Sequence, residues 1–256
     1  VPHRIHTVGG MPMMEMKGIK KYIVRLTEKI TYACAQHVWP NSRGLMQYII
    51  DENLCRPSKL KVIGHGASNG VDTQRFDPDD EKVRLEGRRI RSELGFSQED
   101  IIIIFVGRFA REKGIMELYQ AVDTLTRDNK NIHLVLLGVF ENDHGSLSAD
   151  EQELIKRHPN IHHPGRADDV RPYLSMSDIF VLPSYREGFP NALMEAAAMA
   201  MPCIATDING CNELIEHDVN GWLVPVKDDE SLRQALSLLI NNKEKREQLG
   251  SKARRT

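Results

Sequence analysis

A doubly wound α/β domain, with a parallel sheet covered by helices on both faces, is the fold class that the sequence predicts. Short apolar runs recur at 101–106, 132–137, 161–163, 179–183, 203–206 and 222–224. Runs that are apolar throughout belong to strands buried on both faces. Amphipathic stretches alternate with them at 114–125, 150–157, 168–176, 191–199 and 211–216, followed by helices at 231–240 and beyond. Short connections between such segments are the pattern of β-α units feeding one parallel sheet. No internal repeat is visible.

The preceding residues read as part of a separate β-α unit. Ile19, Tyr22, Ile23, Leu26, Ile30 and Ala33 fall three or four apart, which predicts an amphipathic helix over 16–37. A short apolar step at 37–39 follows, then a helix capped by Ser42 that holds Leu45, Met46, Ile49 and Ile50, and a strand at 60–63. Gly64, Gly66, Asn69, Gly70 and Asp72 stand among few apolar anchors, so residues 66–78 are expected to be a hinge between segments 1–65 and 79–256. A charged helix over 79–94, closed by Gly95, opens the second segment. The start at Val1-Pro2-His3 reads as the interior of a domain, so 1–65 is expected to be a remnant of a larger lobe. Met11, Met13, Met14 and Met16 beside Lys17, Lys20 and Lys21 suit a membrane-facing patch or core packing, and the helical stripe beyond them favours packing.

Composition narrows the function classes. A chain of 256 residues with 41% hydrophobic content can bury one large core or two modest ones. A formal charge of −2 without blocks of like charge argues against a nucleic-acid binder. Cys34, Cys55, Cys203 and Cys211 form no Cys-x-x-Cys pair, so neither a zinc site nor a disulfide scaffold is expected, and a reducing cytoplasmic location fits. The apolar run 101–106 is far shorter than the roughly 20 residues of a membrane span. No Asp-x-Asp stands at a strand end, and His162-His163 reads as an exposed loop pair without a third ligand, so no metal is expected.

In a doubly wound sheet, ligands bind beyond the carboxyl ends of the strands. Those ends run into Gly107-Arg108, Gly138, Gly165-Arg166, Ser184 to Gly188 and Asp207 to Gly210. Arg108 and Lys113 flank the loop that opens the next helix, where free amides and the helix dipole favour an anion. A guanidinium fork and an ammonium point charge would together suit a diphosphate. The same two residues could equally be solvated surface cations. The stretch Glu187-Gly188-Phe189-Pro190-Asn191-Ala192-Leu193-Met194-Glu195 is more specific. Pro190 suits the first helical turn, which leaves the amides of Asn191, Ala192 and Leu193 as donors to a phosphate or sugar oxygen. A carboxylate accepts from two adjacent hydroxyls, so Glu195 could hold a ribose diol and Glu187 a sugar, although Glu195 could also be an ordinary helix glutamate.

These motifs resemble family 4 of the glycosyltransferases. The resemblance lies in Pro-Ser-x-x-Glu187-Gly-Phe-Pro-x-x-x-x-Glu195-Ala preceded by Val-Gly-Arg108-x-x-x-x-Lys113-Gly. Asn-Gly-Val-Asp at 69–72, Ser177-Asp178, Gly210-x-x-Glu213-Leu-Ile and Asn220-Gly-x-Leu-Val extend it in the same order. It implies two Rossmann-like lobes in the GT-B arrangement, with 79–256 as the donor lobe. It assigns Arg108 and Lys113 to the donor diphosphate, Glu187 to the sugar, Glu195 to the ribose and Arg166 to the neighbourhood of the base. Gly188, Phe189, Asn191, Ala192 and Leu193 complete the expected donor-binding set. It further implies retained anomeric configuration, no metal or other cofactor, and a nucleotide-diphosphate sugar, a UDP-sugar foremost, as donor.

The loop Ile5 to Pro12 is similar to that of enzymes assembling bacterial surface polysaccharides or lipid-linked oligosaccharides. A saccharide or lipid-linked acceptor and peripheral association with the inner membrane face are therefore expected. Gly9 and Ala200 depart from the family pattern, the latter read as a packing detail. Two rivals stay open, a two-lobed nucleotide-sugar epimerase and a nucleotide-binding module without turnover. The glutamate pair argues against the first.

Overall fold

The structure, a computed structural model, describes residues 3–14, 16–141 and 145–256. They form two compact units. The first is Val1–Gly70 with Glu187–Asn191 and Asn209–Glu213; the second is Val71–Arg186, Ala192–Ile208 and Leu214–Thr256.

In the first unit, strands β1 (Ile5–Val8) and β2 (His37–Pro40) pair in parallel, joined by helix α1 (Gly18–Cys34). Helix α2 (Arg43–Asp51) starts where the sequence places it, because the Ser42 hydroxyl accepts from Leu45 N at 3.1 Å. Val8, Met11, Met13, Tyr32, Val38, Leu45 and Ile49 form its core. Met11 and Met13 are therefore buried, in line with the favoured packing reading, while Met14 is exposed. The apolar stripe of α1 predicted the helix but not what the stripe meets: Ile19, Tyr22, Ile23, Leu26 and Ile30 are exposed, while Tyr32 turns inward. The strand expected at 60–63 does not form. Leu60 makes one bridge to Val38, and Lys59 Nζ ties the adjacent turn to the carbonyls of Tyr32, Ala33 and Ala35 at the end of α1. Left-handed Gly64 then turns the chain away.

The second unit is built on β3 (Ile101–Val106), β4 (Ile132–Leu137), β5 (Ile161–Gly165), β6 (Ile179–Leu182), β7 (Cys203–Thr206) and β8 (Trp222–Val224). All pair in parallel in the order β5-β4-β3-β6-β7-β8. Counted from β3, that order is 3-2-1-4-5-6, with a topological switch point between β3 and β6. Ile102, Ile103, Ile104 and Phe105 are 0% exposed, as an apolar run buried on both faces requires.

Helices α3 (Glu81–Glu93), α4 (Ile115–Asp128), α5 (Ala149–Arg157), α6 (Arg171–Ser175), α7 (Asn191–Ala198), α8 (Cys211–Leu214), α9 (Asp229–Ile240) and α10 (Lys243–Ala253) complete the chain. Asp80, Ser148, Asp228 and Asn242 cap α3, α5, α9 and α10 with their side chains. Helices α6 and α8 are shorter than the stretches 168–176 and 211–216 foreseen for them.

Two readings of single residues change. His162 lies within β5, not in an exposed loop: its ring is 3.1 Å from His133 Nδ1 and packs edge-on against Phe96. Burial, aided by the neighbouring His133, pushes its pKa down to about 4, so the ring is a neutral packing group near pH 7. Ala200 has φ 56°, the left-handed region that glycine occupies without strain, so its departure from the family pattern is conformational. No helix among the described residues is long and apolar enough to cross a membrane.

Candidate active site

The switch point places the loops after β3 and β6 side by side. After β3, Arg111–Lys113 forms a 3₁₀ turn that ends at Gly114, φ 68°, and Gly114 opens α4. Backbone contact across the switch is tight. A Cβ on Gly114 would lie 2.0 Å from Pro183 O, and Tyr185 N donates to Glu112 O at 2.8 Å. The Arg186 guanidinium pairs with the Glu112 carboxylate. The loop after β4 is laced to the same segment: Phe109 N donates to Val139 O and Arg111 N to Gly145 O, both at 2.8 Å.

Arg108, its side chain 55% exposed, pairs with the carboxylates of Glu141 and Glu112. It also lines a cavity of about 380 Å³ together with Gly107, Gly138, Val139, Arg166, Ala167 and Val170. Two of the residues singled out from sequence, Arg108 and Arg166, therefore share one cleft at the carboxyl ends of β3 to β5. Lys113 stands on the 3₁₀ turn of the Arg108 loop. Burial opposes ionisation of Glu112, but the hydrogen bond and charge of Arg186, with Lys113 and Arg108 behind, outweigh it and hold the carboxyl below its ordinary range.

Glu195 sits in the second turn of α7, half-buried. Burial raises its pKa, and the Arg75 charge partly opposes the rise. Of the residues beside it, Leu193 is buried in the core and Ala192 half-buried. Glu187, Gly188, Phe189 and Asn191 belong to the first unit. There a Cβ on Gly188 would come within 1.8 Å of Gly9 O, so only glycine fits. Pro190 immediately precedes α7, which begins at Asn191, leaving the first amides of that helix without partners inside it.

Sequence reasoning missed Arg75, Glu112 and Glu141. Residue 75 meets Glu195 electrostatically only through tertiary packing, and no local spacing signals it. The Arg108 to Glu141 pair likewise depends on the register of two loops. Among the described residues, no group of three or more His, Cys, Asp and Glu side chains is arranged to hold a metal ion.

This geometry, a doubly wound parallel sheet with cationic and carboxylate side chains beyond its carboxyl edge, defines the doubly wound α/β class. The model of the family glycosyl transferases group 1 matches residues 87–256, and the chain belongs to that family. It is 29% identical over 254 residues to the capsular polysaccharide biosynthesis glycosyltransferase CapM of Staphylococcus aureus, covering 99% of this chain and 65% of the relative. It is also 29% identical over 248 residues to the Escherichia coli UDP-Gal:alpha-D-GlcNAc-diphosphoundecaprenol alpha-1,3-galactosyltransferase, covering 95% and 61%. The chain thus spans less than two thirds of the length of these relatives.

Among solved structures, Anabaena Alr3699/HepE in complex with UDP-glucose superposes with a TM-score of 0.80 at 19% identity, covering 98% of this chain and 66% of that one. The isolated C-terminal domain of the Francisella tularensis group 1 protein LpcC superposes with a TM-score of 0.60 at 25% identity, covering 73% of this chain and 95% of that domain. The fold is that of GT-B glycosyltransferases.

Proposed function

We propose that the protein is a retaining glycosyltransferase that moves a sugar from a nucleotide-diphosphate sugar to a saccharide or lipid-linked acceptor during bacterial surface-glycan synthesis. The observation that carries this reading is the cleft shared by Arg108 and Arg166 at the carboxyl ends of β3 to β5, with Lys113 on the Arg108 loop. The UDP-glucose bound by the Anabaena protein and the diphosphoundecaprenol acceptor in the Escherichia coli relative's name support donor and acceptor class. In this reading 79–256 is the donor lobe, 66–78 the hinge and 1–65 part of the acceptor lobe.

The base occupies the cavity by Arg166, and the diphosphate lies against Arg108, Lys113 and the opening turn of α4. Glu195 accepts from the ribose hydroxyls, and Glu187 orients the sugar. The first amides of α7, from Asn191 to Leu193, donate to donor oxygens. As the glycosidic bond breaks, positive charge grows on the sugar ring and negative charge on the departing diphosphate. Fixed cations already in place stabilise that separation without reorganising. A donor phosphate oxygen takes the acceptor's proton on the face from which the diphosphate departs, so configuration is retained without a protein nucleophile. The exposed apolar stripe of α1, beside Lys17 and Lys20, supports peripheral association with a membrane that carries the acceptor.

Calorimetric titration with UDP tests the donor site. Glu195→Ala is expected to weaken UDP binding by about 1 to 3 kcal/mol, the scale of lost hydrogen bonds to a charged group. Unchanged affinity would remove Glu195 from the ribose. A binding module without turnover would show the same UDP titration but leave UDP-sugars intact in the presence of acceptor.

A further inference from the structure

The carboxylates around Arg108 have no part in the scheme above, and their placement has a consequence for donor binding. Phe140 and Phe109 bridge in parallel, their rings meet edge-to-face with centroids 5.0 Å apart, and Glu141 N lies 3.4 Å from Phe109 O. The backbone of Glu141 is thereby fixed next to that of Phe109, the residue that follows Arg108. Its carboxylate, only 20% exposed, is drawn onto the guanidinium.

We propose that Glu141 is the counter-ion of Arg108 in the donor-free protein, and that displacing it sets the affinity for the donor's diphosphate. The inference rests on Arg108 being a diphosphate ligand, as argued above. Among the described residues, Arg108 is shared by two carboxylates, Glu141 and Glu112. A diphosphate arriving at the same fork would crowd three anionic groups around one cation, so one carboxylate has to leave. Glu112 is the harder to move. Arg186 holds its carboxylate from a second direction, and Tyr185 N binds its carbonyl. The neighbouring Arg111 pair is structural, since Glu151, 2.6 Å from Arg111, also closes the capping box of α5. Glu141 remains as the carboxylate that exchanges with phosphate, its side chain swinging aside while its backbone stays.

A titration cycle tests this. Glu141→Gln keeps the size of the side chain and an acceptor oxygen but removes the charge. It is expected to bind UDP about five- to tenfold more tightly than the parent chain, the scale of one partly buried ion pair. Uridine, which has no phosphate, is expected to bind the two equally. Glu141→Ala is expected to reproduce the gain, and melting temperatures confirm that the variants are folded. In an Arg108→Gln background, Glu141→Gln is expected to add nothing, because the pair is already broken.

Unchanged or weaker UDP binding by both position-141 variants overturns the counter-ion role while leaving the donor reading intact, provided that Arg108→Gln itself weakens UDP. If Arg108→Gln leaves UDP affinity unchanged, the donor reading fails and the inference fails with it. A gain of equal size without Arg108 likewise overturns the role, because the charge of Glu141 would then repel the donor directly rather than by occupying Arg108.

Discussion

Replacing Lys113 with alanine is expected to slow sugar transfer by about 100- to 1,000-fold, the range measured when one preorganised donor to a developing anion is removed. The ammonium is carried on a 3₁₀ turn whose backbone is fixed at both ends: Lys113 N donates to Ala110 O at 3.0 Å, and Gly114 closes the turn. It stands on the loop of Arg108, and in the proposed scheme both cations serve the same anion. Charge on the diphosphate is larger when the glycosidic bond is breaking than in the bound donor, and kcat is therefore expected to fall more than KM rises. Lys113→Arg keeps the charge and is expected to restore part of the rate. Steady-state kinetics with a UDP-sugar and a lipid-linked acceptor checks this. A kcat within about threefold of the parent would mean that Lys113 is a surface cation.

Gly114→Ala is expected to destabilise the fold by about 3 kcal/mol or more, through two effects that compound. At φ 68° any residue with a Cβ is strained by about 1 to 2 kcal/mol. The new methyl group would also lie 2.0 Å from Pro183 O, a backbone atom that moves only if the loops after β3 and β6 separate. Their separation breaks the bond from Tyr185 N to Glu112 O and shifts Arg108 and Lys113 away from the switch point. Chemical denaturation is expected to show a lower midpoint with an unchanged slope, and UDP affinity is expected to drop with it. An unchanged midpoint would contradict the close approach of the two loops.

The contrast between these two residues shows what a sequence carries. The strands of the second unit were legible because β3 and β6 are buried runs of apolar residues and β4 is broken only by His133. The rim followed from topology, since residues after such strands must gather at one edge, and Arg108 and Arg166 do line one cleft there. Strand β1 was not foreseen, because four residues, of which Ile5 is exposed and Val8 buried, carry too little pattern. The face of α1 was legible as a stripe, but a stripe does not say whether its own unit covers it.

At His162 the strand was foreseen, but its burial was not. A polar pair in a short segment reads as exposed, whereas burial against Phe96 and His133 makes it a neutral part of the strand. The carboxylates that restrain Arg108 and the arginine that offsets Glu195 were silent, because loop register and tertiary packing alone bring them together.

The central claim is that two cations and a half-buried glutamate of the second unit hold a nucleoside diphosphate at the switch point of the sheet. A crystal structure of the chain with UDP bound tests it most directly. It is expected to place phosphate oxygens within about 3 Å of Arg108 and Lys113, the ribose diol on Glu195 and the base in the cavity lined by Arg166. A diphosphate bound elsewhere, with Arg108 still paired to Glu141 and Glu195 untouched, would contradict it.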